Sequence, residues 1–201
     1  YTDQSGTLIG STYDKGTIDF SLNPNFFDKH LTLNLNAKGV YTKSNYVDGG
    51  VVGGAAFYNP TQDPYFRNAD GTINTDICNG YFNYGTYNED KGVFAGNTVL
   101  GVGPMSLLYD KYSGAMTGRF IGSAGIEYKV HGLEALKLNV NASIDWSETN
   151  SKSGVNPGSF QAWSDSENPG IGQYSLGYQQ RQSKALEAYA NYNETWGIHN
   201  L

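Results

Sequence analysis

Two long runs of this chain alternate apolar and polar side chains. From residue 31 to 42, Leu31, Leu33, Leu35, Ala37, Gly39 and Tyr41 occupy one set of alternate positions. Thr32, Asn34, Asn36, Lys38 and Thr42 occupy the other, with Val40 the one apolar exception. The second run sets Leu136, Leu138, Val140, Ala142, Ile144 and Trp146 against Lys137, Asn139, Asn141, Ser143 and Asp145. A period of two sends successive side chains to opposite faces of a strand. Strands of soluble proteins average about 5–6 residues, whereas a tilted strand crossing a bilayer takes about 9–11. The runs therefore predict an all-β chain, a segment of antiparallel transmembrane β-barrel with lipid on one face and a wet lumen on the other.

Shorter patterns surround them. A weak pattern over 1–10 predicts a first strand, and 11–16 reads as a polar turn. Ile18, Phe20 and Leu22 opposite Thr17, Asp19 and Ser21 predict a strand over 17–22, ended by Asn23-Pro24-Asn25 because Pro donates no ladder hydrogen bond. A strand over 119–130 sets Phe120, Ala124, Ile126 and Tyr128 against Arg119, Ser123, Glu127 and Lys129. One bent strand or a pair covers 173–196.

The links at 23–30, 131–135 and 196–200 are short, and those at 44–117 and 147–172 are long. Helical turns are expected at Val51–Phe57 and Pro104–Tyr112. Compact soluble domains rarely carry such loops, whereas outer-membrane barrels join short periplasmic turns to long extracellular loops. With the short side periplasmic, Tyr41, Tyr128 and Trp146 fall near strand ends, where aromatic girdles lie.

Composition narrows the classes. No stretch approaches the roughly 18 apolar residues of a spanning helix, and mean hydropathy is −0.49. That excludes a helical membrane protein but not a barrel, where only alternate residues need be apolar. A net charge of −6 argues against a nucleic-acid partner, which takes clustered cations. Cys78 stands alone, so no intramolecular disulfide forms, and it reads as an inert small side chain. The chain starts at Tyr1 without Met or a signal peptide and stops at Leu201 just after a strand-like phrase. Both ends read as cut, and an excerpt of a longer protein is expected.

Motifs for covalent chemistry are missing: no GxxxxGK[ST], HExxH or CxxC occurs. His30, His131 and His199 fall in predicted short turns, which favours capping or solvent exposure over metal binding. Asn68, Asp70, Gly71, Thr72, Asn74 and Asp76 partly match a calcium loop but lack its final Glu. A β-turn at Asp70-Gly71 is the simpler reading. No cofactor is expected, and calcium is the one ion for which partial ligands exist. Glu148, Asp165 and Glu167 offer carboxylates without a positioning scaffold, so the chain is not expected to be an enzyme. Candidate ligand-binding residues are the loop aromatics Tyr58, Tyr65, Tyr81, Tyr84 and Tyr87, with Phe82 and Phe94 beside them. They offer stacking faces to sugar rings, or they pack the loop against itself or a lid protein. Candidate lumen-facing residues are Asn34, Asn36, Lys38, Arg119, Glu127, Lys129, Asn139, Asn141 and Asp145.

Several phrases, in order, resemble the barrel of SusC/RagA-type TonB-dependent outer-membrane transporters. They are residues 6–9 (GTLI), 23–28 (NPNFFD), 33–39 (LNLNAKG), 55–65 (AAFYNPTQDPY), 103–108 (GPMSLL) and 190–201 (ANYNETWGIHNL). The family more usually has Asn where Gly103 stands. The resemblance implies a plugged barrel of about 22 strands in the bacterial outer membrane. It also implies import of glycans or peptides under a SusD-like surface lipoprotein, driven by the TonB complex. The plug domain and TonB-contacting segment are outside this chain, which supplies too few strands to close a barrel. The rivals are a soluble carbohydrate-binding β-sandwich or solenoid, burying Leu31, Leu33 and Leu35 between sheets, and an outer-membrane adhesin displaying loop 44–117.

Overall fold

The computed structural model describes residues 1–97, 100–162, 170–196 and 199–200. In chain order the elements are β1 (Thr2–Ser5), β2 (Thr12–Leu22), β3 (Asn25–Phe26), β4 (Leu31–Tyr46), α1 (Gly50–Ala56), β5 (Gly85–Asn88), β6 (Val93–Gly96), α2 (Pro104–Tyr109), β7 (Lys111–Lys129), β8 (Leu136–Val155), β9 (Gln173–Tyr192), β10 (Thr195–Trp196) and β11 (His199–Asn200). The main sheet is an antiparallel meander, β1-β2-β4-β7-β8-β9, with β3 also paired to β4. β5–β6 and β10–β11 form separate two-stranded ribbons.

Register converts the alternation into a surface. Leu31, Tyr128, Leu138 and Ala190 form one row across β4, β7, β8 and β9. Leu22, Leu35, Ala124, Ala142 and Leu186 form another, and Phe20, Ala37, Gly122 and Ile144 a third. An apolar band thus runs across β4, β7 and β8 from the Tyr128 row toward the Tyr41 row; on β9 it stops at Leu186, with Lys184 and Gln182 opposite Ile144 and Trp146. Along the strand it is roughly 33 Å long at about 3.3 Å per residue, or about 25 Å high at a tilt of about 40°. No second sheet covers it among the described residues: Ile18 is 79% and Leu186 75% exposed. The closed two-sheet core that the sandwich reading requires does not form.

Strand lengths differ from the sequence expectation in a consistent direction. β4 continues to Tyr46, β8 to Val155 rather than to about residue 146, and β7 begins at Lys111 rather than at about 119. The two long connections shorten to 47–110 and 156–172. In these added stretches, such as Ser147 to Ser153, both faces carry polar side chains, so the ladder continues where alternation has stopped. The first strand is also shorter, Thr2–Ser5 instead of 1–10, and the expected polar turn at 11–16 is the start of β2. The reversal lies at 6–11, where Gly6 N donates to Ser11 O at 2.8 Å. β9 ends at Tyr192, and Thr195–Trp196 belongs to the next ribbon.

The 23–30 and 131–135 links fall at one end of the sheet; both long connections fall at the other, together with the short 6–11 link between β1 and β2. The 23–30 link is tight: Phe27, Asp28 and Lys29 take left-handed backbone (φ 54°, 51° and 69°), returning His30 N to Phe27 O at 3.0 Å. The buried apolar side chains Val51, Cys78, Val93 and Phe94 all belong to the 47–110 connection. That connection, with the start of the next, forms a loop module with its own interior. No described helix is long and apolar enough to cross a membrane, which says nothing of strands.

Candidate functional site

The face opposite the apolar band is polar. Register places all nine predicted lumen-facing residues on it: Glu127 beside Asn139, Asn34 and Asn141 flanking Gly125, Asp145 and Lys38 flanking Ile121, with Asn36, Arg119 and Lys129 on the same face. Three ion pairs form on it, while Lys15, Lys129, Arg181 and Glu187 on the same face join none among the described residues. Arg119 holds Asp145 through two hydrogen bonds, Nε to Oδ1 at 2.9 Å and Nη2 to Oδ2 at 2.5 Å. Lys38 pairs with Asp19 at 3.2 Å and Lys137 with Glu127 at 3.5 Å. Asn139 is buried there, and its Nδ2 lacks a hydrogen-bond partner among the described residues. A donor in that state stands ready for an acceptor brought by whatever fills this face.

The loop module sits beyond the long-loop end of the sheet. The predicted ligand-binding tyrosines are half-buried there, in two groups of rings. Tyr58 meets Phe82 edge-on (6.4 Å between centroids) and Tyr84 at 6.0 Å; Phe66, Phe94 and Phe160 extend this group. Tyr65 and Tyr81 lie 6.0 Å apart, and Tyr81 stacks on Tyr109 at 5.8 Å and 19°. Tyr87 lies opposite Phe94 in the β5–β6 ribbon and has no ring contact of its own among the described residues. Four of the five predicted tyrosines therefore spend part of their surface on each other. The Tyr58 hydroxyl donates to Asp63 O at 3.0 Å, and burial, with Tyr84 and Asp63 nearby, pushes it up to about 12.

Glycine sets close approaches inside the module. A Cβ at Gly103 would lie 2.2 Å from Phe82 O, so the Asn usual in the resembled family does not fit this backbone. Gly103 N instead donates to the buried Asn83 Oδ1 at 2.7 Å. At Gly96 a Cβ would meet the Phe160 ring at 2.0 Å, which is how the second long connection packs onto the first.

A buried carboxylate joins the two connections, and the sequence did not single it out. Asp110 is 1% exposed. It accepts from Asn79 Nδ2 at 2.8 Å and Ser106 Oγ at 3.0 Å, and its backbone carbonyl accepts from Asn156 N at 2.8 Å. Asn79 Nδ2 also donates to Pro157 O at 3.0 Å. Burial pushes the Asp110 carboxyl up, against the hydrogen bonds from Asn79, Ser106, Asn156 and Ser159 that favour its charge. Cys78 lies in the same interior, fully buried; burial and then the Asp110 charge push its thiol up to about 12, leaving it unreactive. Lys111 pairs with Asp48, fixing the start of β7 to the entry of α1.

The remaining candidates have ordinary surroundings. Asp70 Oδ1 accepts from Thr72 N (2.9 Å) and Thr72 Oγ1 (2.6 Å), closing a turn in which Gly71 N reaches Asn68 O at 2.9 Å. Arg67 and the Tyr65 amide hold the Asp63 carboxyl below the usual carboxylate range. Glu148 accepts from Asn150 Nδ2 at 3.2 Å on β8, while Asp165 and Glu167 lie outside the described residues. At the opposite, short-link end, His30 and His131 come from different turns and stack at 3.9 Å and 14°. Glu134 lies 3.5 Å from His30 Nε2, and the Tyr128 hydroxyl 2.9 Å from His131 Nδ1. Nothing in their spacing announced that meeting. The side chain of His199 lies outside the described residues.

No family model matches the chain. Over 167 residues, 80% of its length, it is 29% identical to the TonB-dependent receptor SusC of Bacteroides thetaiotaomicron. It spans 16% of that relative's length. By sequence the chain is similar to a segment of a SusC-type TonB-dependent receptor, as its ordered phrases also indicate.

Proposed function

We propose that the chain forms part of the barrel wall, and two of the outward loops, of a TonB-dependent importer in a bacterial outer membrane. The observation that carries this reading is the apolar band. It runs across β4, β7 and β8, reaches β2 through Ile18, Phe20 and Leu22 and β9 through Leu186, Ala188 and Ala190, lies uncovered, and gives way to polar rows toward the long-loop end. Lipid is the partner such a band fits, and closure into a barrel of about 22 strands would remove the open edges at β1 and β9. The opposite face, with its ion pairs and amides, lines the water-filled or plugged side. The similarity to SusC supports the rest by resemblance: a SusD-like lipoprotein over the loops, TonB supplying energy, and an oligosaccharide or peptide as cargo. The chain's role is binding and passage, without covalent chemistry. The loop module contributes ligand contact through the exposed edges of Tyr58, Tyr65, Tyr81, Tyr84 and Tyr87.

Single cysteines along 136–146 in the full-length protein, each carrying a fluorophore and tested with brominated lipid, check the placement. Strong quenching is expected at Leu138, Val140 and Ala142 and little at Asn139, Asn141 and Ser143. Equal quenching on both faces would remove the barrel-wall reading. Uptake of labelled oligosaccharides and peptides, with and without residues 60–100, then tests cargo.

A further inference from the structure

We infer that the outer face of the sheet carries, just beyond its apolar band on the long-loop side, a groove for the phosphate headgroup of an anionic lipid. This rests on the proposed membrane placement of the sheet. Above the Tyr41 row, register stacks Asp14, Lys43, Met116, Asn150 and Tyr178, and then Thr12, Asn45, Gly114, Lys152 and Leu176. Each row rises about 5 Å at a tilt of about 40°. The headgroup layer occupies about 5–7 Å on each side of the hydrocarbon. Both ammonium groups therefore reach that layer, and their stems have length to spare.

Shape and charge agree with this position. The groove measures about 300 Å³, with Lys43 and Lys152 at its rim and Met116 and Leu176 exposed beside it. Gly114 makes its floor: a Cβ there would come 3.1 Å from Ser44 O, and Lys152 Cε passes 4.0 Å from the same point. Neither lysine joins an ion pair among the described residues, whereas Lys38, Arg119 and Lys137 on the opposite face are each paired. Three acids share the outer surface, none of them lining the groove. Asp3 continues the Lys43 row beyond Asp14 at the sheet edge. Asp14, opposite Lys43, accepts from the Tyr1 hydroxyl at 3.1 Å, and Glu148, nearer the apolar band, accepts from Asn150. None of these carboxylates closes the groove. A lipid phosphate placed there meets the two lysines that line the groove, Lys43 with Asp14 as its cross-strand neighbour, and its acyl chains continue onto Met116 and the band below.

The test uses the full-length receptor, stripped of lipid and titrated with mixed micelles of phosphatidylcholine alone or with phosphatidic acid, bound lipid being counted by native mass spectrometry. Lys43→Gln with Lys152→Gln is expected to lower the preference for phosphatidic acid by about tenfold. Lys15→Gln with Lys129→Gln, on the polar face, is expected to leave it unchanged. An unaltered preference in the first pair, or an equal loss in the second, overturns the inference. A fluorophore on Val140→Cys reads membrane contact separately. Quenching by brominated phosphatidylcholine with an unaltered preference removes the groove alone; absence of quenching removes the membrane placement and the groove with it.

Discussion

The sheet and the loop module are ordered by different means. The sheet is one layer thick, its ladder continuous from Lys111–Val155 to Lys129–Lys137, and β9 is exposed along its whole length. Its side-chain order is periodic, and its partners lie outside the chain. The loop module has almost no periodicity and little regular structure, yet it encloses Asn83, Asp110, Ser106, Ser159, Cys78 and Phe94. On the proposed placement the sheet's outer face lies against a bilayer and needs no interior of its own. The loop module is surrounded by water and makes one. Its order is built in by its own packing, which lowers the entropy lost in any binding event.

The comparison breaks most visibly when each region loses what orders it. Ala142→Arg puts a charge near the middle of the apolar band, where the cost is about 2–4 kcal/mol. The full-length protein is expected to fold poorly into lipid vesicles, seen as loss of the heat-modifiable band on a gel. Asn141→Arg, one residue before and facing the other way, is expected to fold. Equal yields for the two would mean that the faces are not distinct. Asp110→Ala acts on the other region. It leaves the buried Ser106 hydroxyl without its acceptor and takes one of two acceptors from Asn79 Nδ2, a cost of about 1–3 kcal/mol. Proteolysis within 47–110 and 156–162 should accelerate while hydrogen exchange in the β7–β8 ladder stays slow. Parallel loss in both would show one cooperative unit where two are described.

These differences also explain what the sequence could disclose. Leu31 to Tyr41 and Leu136 to Trp146 were legible because a strand with one apolar face needs every second residue to be apolar. The ladder beyond them was not, because Ser147, Thr149 and Ser151 on one face and Glu148, Asn150 and Lys152 on the other are all polar, which leaves no alternation. Nine lumen candidates were named from parity alone, and register puts them on one face. Within the loops, aromatic content was visible but ring partnerships were not. Tyr81 on Tyr109, Asn79 on Asp110 and His30 on His131 join residues far apart in the chain, with no period to connect them.

A smaller effect is expected on the polar face. Arg119 and Asp145 are both about half exposed, so removing either is expected to cost about 0.5–1 kcal/mol despite the two hydrogen bonds. A double-mutant cycle with Arg119→Ala and Asp145→Ala, read by denaturant stability, measures the pair. A coupling as large as the Asp110 effect would mean that this face is dry and enclosed instead of wetted.

The finest distinction is one of sign within the loop module. The Lys111 ammonium and the Gly50 amide hold the Asp48 carboxyl below its ordinary range. Its stabilisation is thus complete above the ordinary carboxylate value and is lost as pH falls through the folded one. For Asp110 burial dominates and the folded value is raised. The folded module then holds a proton that the unfolded chain has already released. Stability falls as pH rises from the ordinary carboxylate value through the raised one. Mild acidification should therefore slow exchange of amides around Asn79, Ser106 and Asn156, and stronger acid should loosen α1 through Asp48. Asp110→Asn is expected to abolish the first response and leave the second. If wild-type protection around Asn79 instead declined steadily with acid, the four donors would outweigh burial, and Asp110 would be a charged latch throughout.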